Sequence, residues 1–416
     1  MADVLESGMI NSATLPAGQR AYYEQMLLDT LRTKSILTPF CVVKEDFRAR
    51  DTGQLTYTEV MDTEPNWNPG SETQPWLSGA YLDSRSITIG LEIHNDVIKI
   101  SEYNELINFW NNGDLTGLVQ GKLGQNMVSH LDHLALNAFL SHPNKQYGGD
   151  ATSRATLAVG DNFLVDNIEH IRLQLEENEV PGVASTDPDS VQNIVCVTTA
   201  GVIHDIRTAA NSKWIEAQNY AGTTRRFTGE MGSWNGVRFV KTQRAKLRNH
   251  GAVITQTTLT APTVPGQGAA ATVDVVWSVG QSGSTRYIPI DDETGFAVGQ
   301  YVTIHSVAQG ETVLEGDGTQ ETRRIVGVAT SKLTLDKPLL KAHASGDYVT
   351  NAIDVHASIF MGGPGVVYGV GERPHPFPLP VIDDAGMIRR FAWRGFLKYQ
   401  LFRPEMFGVL ESTTSR

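Results

Sequence analysis

The chain has 416 residues, of which 40% are apolar and 19% charged, enough for two or three folding units with a sizeable core, and this composition excludes an intrinsically disordered protein. Its 34 Lys and Arg against 46 Asp and Glu give a formal net charge of -12, which excludes a dedicated nucleic-acid binder that gains affinity by neutralising phosphates. Cys41 and Cys196 are too few for a disulfide framework or a thiolate metal site, and no segment approaches the ~20 apolar residues that span a bilayer. The opening "MADVLESGMI" has no basic region followed by an apolar run, so synthesis and retention in a reducing cytoplasm are the expectation.

Residues 1–18 are small and polar without periodicity and read as an arm with no core of its own. Tyr23, Leu27 and Leu31 then share one face of a short helix that Pro39 stops. From 51 the pattern turns to strand: "GQLTYTEV", then "SITIGLEI", where Ile87, Ile89, Leu91 and Ile93 alternate with polar or small residues over a half-buried face. Between the two strands, "TEPNWNPGSETQPWLSGA" has neither period and is longer than most connections inside a compact domain. Trp67 and Trp76 beside Pro69, Gly70 and Pro75 suit a contact surface, the bland alternative being that both rings fold back onto their own domain.

Leu115, Leu118, Val119, Leu123, Met127, Leu131, Leu134 and Ala138 fall at three- and four-residue steps, so Asp114 to Ser141 reads as one amphipathic helix about 40 Å long at ~1.5 Å per residue. Gly117, Gly121 and Gly124 weaken it and imply close approach of something else, and Pro143 ends it. A second helix covers Asn162 to Glu177 with Leu164, Ile168, Ile171 and Leu175 inward. "NIVCVTTAGVIHDIRTAA" is a buried strand, Ile194 to Val197, feeding a helix that buries Val202, Ile203 and Ile206.

"GEMGSWNGVRFVKT" offers three glycines, but neither the spacing nor the following helix of a phosphate-binding loop; Asn235-Gly236 is a turn into the strand that begins at Val237. Residues 251–350 shift to Thr, Val and Gly with short strands between turns ("RYIPI", "QYVTI", "RRIVGV", "KLTLD"), which predicts an inserted β-sandwich or barrel-like module. "RPHPFPLP" places proline at every second position, as an extended edge segment does. In "IRRFAWRGFLKYQLFR", Phe391, Trp393, Leu397, Tyr399 and Leu401 share an apolar face, while Arg390, Arg394, Lys398 and Gln400 share a basic one, with Gly395 a bend or bulge.

Catalytic and metal signals are weak. His130 and His133 lie three apart on the long helix, but two ligands do not make a zinc site, and polar packing is the better reading. The acidic turns "DDETG" (291–295) and "EGDGTQE" (315–321) lack calcium-loop spacing and read as solvated. No G-x-S-x-G elbow occurs, and no cofactor site is expected. Arg390, Arg394 and Lys398 are too few in an acidic protein for a nucleic-acid footprint; inter-subunit ion pairs or water are the expected partners.

These elements in this order resemble the major capsid proteins of tailed bacteriophages, whose Hong Kong 97-type shell fold herpesvirus capsids share, in the branch typified by the coat protein of phage N-four. The resemblance covers most of the chain outside 251–350. It implies an α+β capsid fold: an arm and short helix at 1–50, an extended loop at 51–100 lying over a neighbouring subunit with Trp67 to Trp76 at its tip, and a peripheral domain at 101–190 whose spine is Asp114 to Ser141. An axial domain at 191–250 and 351–387 and returning strands at 388–416 follow, with the β-rich insertion at 251–350. It also implies self-assembly into hexamers and pentamers, a separate scaffolding protein and a portal, enclosed double-stranded DNA bound without sequence specificity, no membrane partner, and a virion assembled in the host bacterial cytoplasm. The rival readings are an encapsulin-like compartment shell and a carbohydrate-active or carbohydrate-binding β-rich protein using Trp67 or Trp277.

Overall fold

A computed structural model describes residues 9–10, 35–45, 53–61, 82–101, 115–183, 194–210, 214–216, 229–263, 287–306, 320–337, 339, 341–379 and 388–415. The expected helix at 23–31, the loop tip at 67–76 and Trp277 lie outside these residues. In the first part of the chain, β1 (Met9–Ile10), β2 (Val42–Glu45), the hairpin β3 (Gln54–Val60) and β4 (Ser84–Gly90), and β5 (Glu92–Ser101) precede the long helix α1 (Leu115–Leu140). After β6 (Gln146–Tyr147) come α2 (Val165–Glu177), β7 (Ile194–Thr198), α3 (Ala200–Ala210), β8 (Ile215–Glu216), β9 (Glu230–Trp234), β10 (Val237–Lys241) and β11 (Lys246–Leu247). The next group is β12 (Val253–Thr258), β13 (Tyr287–Pro289), β14 (Tyr301–His305), β15 (Glu321–Ala329), β16 (Lys332–Leu335) and β17 (Tyr348–Ala352). The last strands are β18 (Val355–Met361), β19 (Val366–Leu379), β20 (Ile388–Leu401) and β21 (Phe407–Ser412).

The centre is a sheet ordered β6-β21-β18-β7-β10-β9-β8, with β11 added beside β18. Its middle strand β7 is buried on both faces. Val195 and Val197 join the cluster under α1, whereas Ile194 and Cys196 join the cluster under α2 and α3. A run of five apolar or small residues is what such a two-sided position needs, and α3 makes the crossover that lets β10 pair parallel to β7. At the β9–β10 turn, Asn235 and Gly236 take φ of 47° and 76°, the left-handed pair that a tight hairpin requires. The glycines there form a turn and no anion loop.

A second sheet, ordered β1-β5-β20-β19-β2, carries α1 on one face. The strand parity read for 388–401 holds: Trp393, Leu397 and Tyr399 are buried, and the Trp393 indole N–H donates to Asn126 Oδ1 of α1 at 3.2 Å. Ala392, of the opposite parity, is buried as well. Ile93 breaks the expected alternation. The chain passes from the hairpin to β5 at Leu91, and Ile93 emerges 65% exposed.

Strands β12 to β17 form the order β12-β17-β14-β15-β16-β13, and a bridge between Leu259 and Ile290 joins the two ends, so the sheet closes on itself. Thr260 N–H to Pro289 O (3.3 Å) and Asp291 N–H to Thr258 O (3.1 Å) complete the seam. Closure removes the edges and encloses a core that includes Ile288, Val302, Ile304, Ile325, Leu333 and Val349. The leaving and returning segments run side by side, with Gly251 N–H to Ile353 O at 2.8 Å and Ile353 N–H to Ala252 O at 3.0 Å.

Helix α2 begins three residues later than the periodicity predicts, and Leu164 is its N-cap, 51% exposed rather than inward. Ile168, Ile171 and Leu175 are buried as expected.

Candidate functional site

Among the described residues, the β3–β4 hairpin is a two-stranded sheet of its own. Its register sets Leu55 opposite Ile89 and Tyr57 opposite Ile87, so one face is apolar. At the root this face packs on Leu91, Val367 and Phe402. Tyr57 meets the Phe402 ring edge-on at 5.0 Å. Glu59 and Arg85, also opposite each other, reach to Arg403 and Glu405 beyond Phe402: Arg403 pairs with Glu59, and Arg85 pairs with Glu405 at 3.0 Å. The Arg85 guanidinium also lies 4.6 Å above the Phe402 ring centroid. This clamp holds one face of the hairpin along the length of its strands, and the residues just beyond Glu59 and Arg85 are bare. Val60, Met61 and Leu82 are 63%, 47% and 77% exposed where the strands lead into 62–81. Trp67, Pro69, Gly70, Pro75 and Trp76 belong to that segment, outside the described residues.

Helix α1 supports the sheet from which the hairpin springs. Leu115 starts it, Leu123 is fully buried, and Met127 and Leu134 are half-buried. Toward its end Leu136, Phe139 and Leu140 are buried as well, wider than a single stripe, because the helix enters the cluster between the two sheets. A Cβ at Gly121 or Gly124 would meet nothing within 4 Å. No close approach within the described chain explains those glycines. Asp132, 1% exposed, ties α1 to its surroundings: it accepts from Ser35 Oγ at 2.5 Å and the Ile36 N–H at 3.2 Å, and pairs with Arg244. A carboxylate so buried is stable only with this full set of donors. A second buried pair joins Arg154 to Glu411, with Nε donating to Oε2 at 2.7 Å and Lys145 Nζ 3.6 Å from Oε1.

The basic face of β20 meets carboxylates of its own chain. Arg394 pairs with Glu372 at 3.0 Å and stacks 5.5 Å above Phe377, and Lys398 pairs with Glu92 at 2.5 Å. Arg390 shares that face, half-buried. Within the chain, carboxylates on the flanking strands pair with Arg394 and Lys398.

His130 bonds across to His94 of β5, Nε2 to Nδ1 at 3.1 Å, and not to His133. Burial, followed by the neighbouring His94 and His133, pushes His130 down to about 4, and burial also lowers His94. Among the described residues no group of three or more His, Cys, Asp or Glu is arranged to hold a metal. In the 291–295 turn, Asp292 Oδ1 accepts the Thr294 N–H at 2.9 Å, which lowers its carboxyl, as an exposed turn does. Glu321 departs from the solvated reading: it is 6% exposed and pairs with Arg323 at 2.5 Å.

Sequence reasoning missed the clamp residues Glu59, Arg85, Phe402, Arg403 and Glu405. One signal existed: Glu59 and Arg85 share the parity of Leu55, Tyr57, Ile87 and Ile89, and charge on an apolar face marks a partner elsewhere in the chain.

The whole arrangement is a known one. The described fold aligns over 98% of this chain and 95% of a chain from the capsid of Ralstonia phage GP4, with TM-score 0.53 at 13% identity. It aligns over 100% of both chains with one from the cyanophage Pam1 capsid asymmetric unit, with TM-score 0.50 at 9% identity. The chain therefore has the α+β, Hong Kong 97-like fold of phage capsid proteins. Residues 137–285, from the end of α1 into the closed barrel, match a family model described as phage capsid protein. No curated protein sequence matches the chain.

Proposed function

We propose that this chain is a major capsid protein that assembles into the hexamers and pentamers of an icosahedral phage head enclosing double-stranded DNA, in the phage N-four branch of the fold. The carrying observation is the hairpin: one face is clamped at Phe402, while Val60, Met61 and Leu82 stay bare. Apolar groups presented on a stiff projection are stable when a neighbour covers them, so association completes the fold. Repetition of one heterologous contact closes rings, and rings close a shell. In this reading the hairpin and 62–81 form the extended loop over the next subunit, and α1 is the spine of the peripheral domain. The β7–β10 region with β18 is the axial domain, and the barrel is an insertion. The role is structural and not catalytic. A scaffolding protein and a portal are supplied separately, and assembly takes place in the host bacterial cytoplasm.

The charge balance supports the cargo. A net charge of -12 and the internally paired Arg394 and Lys398 leave DNA free to slide during packing. Deletion of residues 64–78 tests the reading: electron microscopy is expected to show closed particles from the intact chain and soluble, unassembled subunits from the deletion. Normal particles from the deletion would overturn the assignment of the loop.

A further inference from the structure

The two edges of the sheet under α1 differ in chemistry. On one side β2 covers β19 only from Val367 to Val370, and no described strand pairs with the outer edge beyond. There Pro376 and Pro378, with Pro374 at the bulge before them, recur at every second position, while β19 stays paired to β20 as far as Leu379. Their missing N–H groups therefore fall on the outward side, and this edge offers carbonyls without donors. It cannot accept a further strand.

The opposite edge belongs to β5. Met9–Ile10 covers it only at Lys99 and Ile100, and no described strand pairs with Glu92 to Ile98 on the side away from β20. That stretch, Glu-Ile-His-Asn-Asp-Val-Ile, has no proline and keeps its full set of donors and acceptors. Its sequence is chemically self-complementary about Asn95. When two copies are laid antiparallel, Ile93 falls opposite Val97, His94 opposite Asp96, and Asn95 opposite itself. Ile93 and Val97, 65% and 40% exposed on one chain, would cover each other, and each His94 ring would face a carboxylate. Asp96 already neighbours the His94–His130 pair closely enough to bias His130 toward protonation.

We infer that the β5 edge, residues 92–98, is a two-fold contact that takes the same edge of a second copy of this chain. The pairing is isologous, so it closes after two chains. The prolines on β19 keep the sheet from growing in the other direction, and β1 stops the partner strand at residue 98. The inference adds a contact to the proposed shell and does not depend on the hairpin.

The test is Asn95→Cys in the full chain. Asn95 is exposed, and an antiparallel pair brings the two Cα atoms to about 4.5–5.5 Å, within reach of a disulfide. The native Cys41 and Cys196 are both buried and stay out of the reaction. Mild oxidation followed by non-reducing electrophoresis is expected to give a dimer that reductant reverses, while His375→Cys on the proline edge stays monomeric. A folded Asn95→Cys protein that fails to crosslink overturns the inference. Independently, Ile93→Glu with Val97→Glu is expected to weaken association at least about tenfold in sedimentation; association equal to the unaltered chain overturns it too. Closed particles in which Asn95→Cys stays uncrosslinked would refute the edge pairing and leave the shell reading standing. Crosslinked chains that never form particles would do the reverse.

Discussion

The barrel and the hairpin both leave the main sheets, and they solve opposite problems. The barrel joins its last free edge at Leu259 and Ile290 and surrounds its own apolar residues, so its stability is internal. The hairpin has two strands, about the least a sheet can have, and borrows its core from Phe402 and Val367. Insertion length is therefore a poor guide to independence. What matters is whether an excursion removes its own edges or leaves them for another surface to satisfy.

The largest expected effect strikes the platform that both excursions share. Glu411→Ala strips Arg154 and Lys145 of their buried partner and is expected to cost about 3–5 kcal/mol in denaturant unfolding, lowering barrel and hairpin together. Next, Phe402→Ala should separate them: a loss of about 3 kcal/mol falls on the hairpin root, so limited proteolysis should cut between 53 and 91 while the barrel resists. Equal protection of both regions would break the contrast drawn above.

Acid should work from the other side. Burial pushes His250, at the junction with the barrel, down to about 3, and pushes His356 and His130 down to about 4. The folded chain holds these rings neutral, whereas the unfolded chain binds protons near the ordinary His value of about 6.5. Stability is thus complete above that pH and declines as pH falls through the folded values, by up to about 1.4 kcal/mol per unit for each ring. Thermal melts between pH 7 and 4 should show this decline, and His250→Gln should flatten it. The smallest effect is expected from removing 252–352 with a short linker. Gly251 and Ile353 are already hydrogen-bonded neighbours, so the melting temperature of the remainder should move by only a few degrees. Insolubility would show that the barrel is part of the common core.

Much of this design was legible because it is local. The buried run Ile194–Val197, the helical stripe of α1, the Asn235-Gly236 turn and the alternation at 391–401 each report a neighbourhood of a few residues. Misreadings arose where a distant element decides the outcome. Period alone places Leu164 inward, yet the helix begins after it. The pairs of Arg394 with Glu372 and of Lys398 with Glu92 form only through strand register, which the local sequence does not display. For the candidate site, Arg85 and Glu405 lie 320 positions apart, and no periodicity links such distances. The Trp67 to Trp76 tip remains a proposal, since it falls outside the described residues.

The adjacency of Gly251 and Ile353 has a practical use. A chain that exits and re-enters between two bonded strands provides a socket, and any compact domain with neighbouring termini should graft there at little cost in loop closure. Repeated on every subunit of a particle, that socket would turn the protein into a scaffold for displaying foreign domains at fixed spacing.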